Sequence, residues 1–114
     1  MNTVQRGDIL IKRNISNYYS ILFMNVSVRQ LRAFVTIAKC QSFAEASELL
    51  HLSPSALSVS IQKLEDAVGG ALFARSTRSL EITPEGKEFL PNAIRLLGDW
   101  DGALDDLNRS FNLK

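Results

Sequence analysis

Residues 42–70 read SFAEASELLHLSPSALSVSIQKLEDAVGG, and the fold turns on this stretch. Ser42 stands where a helix would be capped, and Glu45 three residues on completes a capping-box pattern. Phe43, Ala46, Leu49 and Leu50 supply an apolar stripe for a short helix. His51-Leu52-Ser53 then breaks the period. Ser53 is a preferred N-cap and Pro54 a favoured first-turn residue, so a second helix starts there and Gly69-Gly70 ends it. Helix, three-residue turn and helix are the parts of a helix-turn-helix.

The second helix of the pair divides by face. Leu57, Ile61, Leu64 and Val68 recur at spacings of about four, three and four and must meet a core. Ser55, Ser58, Val59 and Gln62 fall on the opposite side. In a helix-turn-helix this helix enters the major groove of double-stranded DNA, which is wide enough to admit it. Short or amide-bearing side chains allow the close approach to bases that reading requires. Without the turn before them, the same residues would merely solvate a surface. Lys63, on the shoulder of this helix, is placed to hold phosphate.

Working outward, Ser27 can cap a preceding helix with Leu31, Phe34, Val35 and Ala38 on one face. Downstream, residues 72–82 form two short extended runs around Ser76-Thr77-Arg78-Ser79, a turn with neither Gly nor Asn. Arg75 and Arg78 flank its tip, where they would reach phosphate or a narrow minor groove. Thr83-Pro84-Glu85 repeats the cap-and-proline signature and opens a helix predicted to run to about Arg109. Along it Leu90, Ala93, Leu97, Trp100, Leu104, Leu107 and Phe111 alternate at three and four, a seam suited to pairing with a second copy. Pro91, Gly98 and Gly102 weaken this helix, and Asp99, Asp101, Asp105 and Asp106 oppose its dipole. It therefore needs its apolar face buried, which predicts a homodimer.

Composition bounds the function. The chain has 114 residues, 46% hydrophobic and 22% charged, enough for one compact domain with an appendage. Net charge is only +1, but residues 1–40 carry six basic groups against the single acid Asp8. DNA binding would thus use placed cations rather than a bulk positive field. No stretch approaches the roughly 20 apolar residues of a membrane helix, and the first residues lack an export signal, so a cytoplasmic location is expected. Cys40 is the lone cysteine and His51 has no companion at metal-ligand spacing, so neither a metal nor another cofactor is implied. There is no nucleophile with an adjacent base and no phosphate-cradling glycine loop, which argues against an enzyme. The competing reading is a helical dimerisation module that never touches DNA.

Linked blocks in this chain carry a family resemblance: Leu31 and Phe34, then Ser42-Phe43, then Ser53 to Glu65, Leu72-Phe73, Arg75 and Arg78, and Thr83-Pro84 with Gly86. Residues 28 to about 107 resemble the N-terminal DNA-binding region of LysR-type transcriptional regulators. The resemblance implies a mainly α fold, a winged helix-turn-helix with a small two-stranded β wing and a long C-terminal linker helix. It implies DNA contact by Pro54, Ser55, Ser58, Val59 and Gln62, with Arg75 and Arg78 in the wing, and pairing of linker helices on an interrupted palindrome; Ser53 and Lys63 complete the candidate DNA-binding set. Where the family commonly has Gln then Pro after the serine, this chain has Pro54 then Ser55. It has Val59 and Gln62 where basic residues are common. Three parts are expected: residues 1–24 as an extension outside the fold, 25–82 as the winged domain, and 83–114 as the linker and dimerisation helix. The effector-binding domain is expected to be absent, so that a small-molecule effector would act only through it.

Overall fold

The computed structural model describes residues 26–76 and 79–113. Three helices, a two-stranded antiparallel wing and a long helix follow in order: α1 Val28–Cys40, α2 Phe43–Leu50, α3 Pro54–Val68, β1 Phe73–Arg75, β2 Leu80–Ile82 and α4 Pro84–Phe111. This is the mainly helical, winged arrangement expected from the sequence. The boundary expected at residues 1–24 lies outside the described residues, as does the wing-tip position of Arg78.

Each helix begins where a hydroxyl can accept an otherwise orphaned amide. Ser27, Ser42, Ser53 and Thr83 accept from Gln30, Glu45, Ala56 and Gly86. The reciprocal capping box expected at Ser42 is found instead at Ser27, where the Gln30 side chain accepts from the Ser27 amide. α3 stops at Gly69, whose φ of 86° suits a residue without Cβ and lets its amide reach the Glu65 carbonyl.

The core is centred on α1. Phe34 is fully buried, with the Phe73 and Phe89 rings at 5.4 and 5.5 Å, so one side chain joins α1 to the wing and to α4. Leu57, Ile61 and Leu64 of α3 close the same cluster. The stripe expected on α2 needs correcting. Leu49 is 60% exposed, and Ser47 takes a place in the interior. The face of α2 that meets the core is Phe43, Ala46, Ser47 and Leu50, one and two turns apart, and Leu49 lies well off that line.

Helix α4 runs unbroken through Pro91 to an αL cap at Asn112. Its start is fixed hard against the wing. The Thr83 hydroxyl donates to the Ala71 carbonyl at 2.7 Å and the Thr83 amide to that of Leu72 at 3.0 Å. A Cβ on Gly86 would lie 2.3 Å from the Leu72 carbonyl oxygen, so only glycine fits. Gly86→Ala is expected to cost at least about 1–3 kcal/mol by urea denaturation, as overpacking does. Gly98→Ala, where an added Cβ meets nothing within 4 Å, should be neutral or stabilising by up to about 1 kcal/mol.

Candidate nucleic-acid interface

The turn before α3 sets the angle at which that helix is presented. His51 adopts the left-handed conformation at φ 57° and ends α2. The buried Ser47 hydroxyl donates to the Leu52 carbonyl, and the Leu52 amide returns a bond to the Ser47 carbonyl at 3.0 Å. Two bonds between the same residues leave the turn little freedom. Periodicity does not place Ser47 inside, because a small polar residue in a helical run carries no apolar signal.

Beyond the turn, α3 holds its expected outward residues in view. Ser53, Pro54, Ser55, Val59, Gln62 and Lys63 are exposed, and Ser58 is half-buried. Val59 is the apolar outlier of this face at 53% exposure. Ser53 and Ser55 hydroxyls lie 3.3 Å apart, and the Gln62 amide donates to Asp66 at 3.0 Å, one turn on. These contacts orient polar tips before any partner arrives.

Glu65 is the residue that periodicity missed. Charged and adjacent to core Leu64, it reads as surface, yet it is 8% exposed. Its Oε2 accepts from the amides of Leu72 and Phe73 at 2.7 and 3.2 Å, and its Oε1 lies 3.6 Å from Nη2 of Arg75. Arg75 also donates to the Ser58 hydroxyl at 3.3 Å and stands 4.8 Å above the Phe43 ring. The wing arginine thus bridges α2, α3 and β1. Leu80 and Ile82 pair with Arg75 and Phe73 across the wing, and bonds between Ser76 and Ser79 close its tip in place of a glycine turn.

The seam expected on α4 divides in two. Ala93 and Leu97 are buried in the chain's own core with Leu90 packed against it. Those three are therefore spent within the chain. Trp100, Leu104, Leu107 and Phe111 are 42–68% exposed, and Ile94 and Leu96 stand out beside them.

A two-bond turn, an exposed helix of short polar residues and a wing cation fixed beside it define a winged helix-turn-helix, a module for binding DNA. Residues 28–87 match the family model described as bacterial regulatory helix-turn-helix protein, lysR family. The chain belongs to that family. It is 39% identical over 79 residues to the transcriptional regulator CitR of Bacillus subtilis, covering 69% of this chain and 27% of that protein. Among solved structures, a cysteine mutant of Corynebacterium glutamicum OxyR superposes with a TM-score of 0.73 at 36% identity, over 76% of this chain and 28% of that one. The BenM DBD in complex with catB site 1 DNA gives 0.71 at 35% identity, over 77% and 99%. The chain thus spans about a quarter of the length of the CitR relative. Membership in a family of DNA-binding regulators sets aside both an enzyme and a module that never touches DNA. Among the described residues no group of acidic, His or Cys side chains is arranged to hold a metal, and no helix is long and apolar enough to cross a membrane.

Glu65→Ala leaves two buried amides without an acceptor, at about 1–3 kcal/mol each. Urea denaturation should show a loss in that range or above it. Glu65→Gln, which can keep one oxygen toward the amides, should lose less while freeing Arg75.

Proposed function

We propose that this chain binds DNA as a homodimer, with one α3 in each of two successive major grooves and the distal half of α4 joining the copies. The carrying observation is the exposed row Trp100, Leu104, Leu107 and Phe111, on a helix whose near half is anchored in the core. Apolar residues at that spacing on a helix end with no core beneath them suit a second copy of the same helix. Two-fold pairing would set the recognition helices about one helical turn apart on an interrupted palindrome. Response to a small-molecule effector is assigned to an effector-binding domain of the kind the family carries, and the place of work to the cytoplasm.

Base reading falls to Ser55, Ser58, Val59 and Gln62, with Ser53, Pro54 and Lys63 at the edges and Arg75 and Arg78 on phosphate or in the minor groove. Val59 presents a branched apolar group, which in the major groove contacts the thymine methyl. Gln62 or Ser58 then hydrogen-bonds a neighbouring base.

Val59→Ala should relax selection at one position among sites drawn from a random DNA pool, with the salt dependence of binding unchanged. Unaltered selection at every position would remove Val59 from the readers. The double variant Trp100→Glu with Leu104→Glu should sediment as a monomer in analytical ultracentrifugation. It should lose most of its affinity for the selected palindrome while keeping that for a single half-site. A wild-type chain that stays monomeric at high micromolar concentration would overturn the homodimer.

A further inference from the structure

The two flanks of α3 are electrostatically unlike. Toward the wing, Ser58 and Glu65 meet Arg75, whose charge is answered by the Glu65 carboxylate. Toward α1, residues Ala56, Val59, Ser60 and Lys63 recur at i, i+3, i+4 and i+7 and form one wall of an open groove. The first turn of α1, including Val28 and Arg29, forms the other wall. No acidic side chain lines this groove among the described residues. Arg29 and Lys63 are exposed, and neither has an ion-pair partner among the described residues. Arg32, one turn along α1, is by contrast paired with Asp101 at 3.1 Å.

We propose that this groove seats the sugar–phosphate backbone of one DNA strand, with Arg29 and Lys63 as its phosphate contacts. The inference rests on the placement of α3 in the major groove. An α-helix with its side chains is about 10–12 Å across and the major groove about 12 Å wide, so a seated helix brings each flank toward one bounding backbone. Val59 belongs both to the reading face and to the groove wall, so the two surfaces are continuous. On the wing side the facing cation is already neutralised in part by a buried carboxylate. On the α1 side neither cation is answered by a carboxylate among the described residues, and both line the groove. The first helix of the domain is therefore part of the DNA-binding surface, and it supplies affinity without sequence information.

The test is the slope of log affinity against log salt for the full chain. It is measured on a duplex selected from a random pool and on an unrelated duplex of equal length. Each substitution removes one contact from each copy, so Arg29→Ala and Lys63→Ala should each reduce the slope's magnitude by about 0.9 per copy, about 1.8 for the bound homodimer, and the double variant by about 3.6, on both duplexes. Arg29→Lys should keep the parental slope, which separates charge from any structural role. Lys39→Ala removes an exposed cation at the far end of α1 and should leave the slope unchanged. Parental slopes in the two alanine variants, an equal drop with Lys39→Ala, or a lost slope with Arg29→Lys would each overturn the proposal. Val59→Asp guards the underlying reading. If it binds the selected duplex as the parent does, α3 is not in the groove. If it loses that binding while Arg29→Ala and Lys63→Ala keep parental slopes, the placement of α3 stands and the phosphate groove falls.

Discussion

A buried carboxylate governs how this domain is put together. Glu65 sits at the end of α3 where the chain leaves the helix for the wing, and it takes the first two amides beyond the turn at Leu72 and Phe73. Those amides have no neighbouring strand on that side, so without the carboxylate they would be buried and unpaired. The same group holds Arg75 in reach, and through it the direction of β1 relative to α3. Removing such a charge from water is costly unless each oxygen finds a partner, and here both do. The reading helix and the wing consequently behave as one part rather than two.

The aromatic residues extend that part through the rest of the domain. Phe89 of α4 stacks on Phe34 of α1, Phe34 meets Phe73 of the wing, and Phe73 meets the edge of Phe43 in α2. Arg75 closes the row by lying over Phe43. The succession passes through four elements and ends on the cation beside Ser58. Packing and polar contact thus converge on the surface that faces DNA.

Much of this was readable from residues alone. The serine and threonine caps, Pro54 and Pro84, and the four apolar positions of α3 locate the helices because capping and period are local signals. The outward face of α3 followed from the same arithmetic. What escaped depends on contacts between distant residues. Glu65 is one place from a core leucine and carries a charge, so periodicity assigns it to solvent, and only the wing amides explain its burial. Leu49 and Ser47 exchange places because the turn after α2 needs a hydroxyl inside. The hairpin lacks glycine because Ser76 and Ser79 bond across its tip. The apolar row on α4 reads as one seam in sequence, yet its near half is used up by the chain's own core. A period shows that a face is apolar and leaves open which body covers it.

The tight seat of Gly86 under the Leu72 carbonyl has a mechanical consequence. Three contacts at Thr83 and Gly86 join α4 to the wing within a single turn, and none has slack for sliding or swivelling. A helix of 28 residues is about 42 Å long, and this one is clamped at its root. It therefore acts as a lever arm. A tilt imposed on its far end would reach the wing and α3 through that root. Whatever grips the outer half of α4 thereby sets the angle and separation of the surfaces that meet DNA.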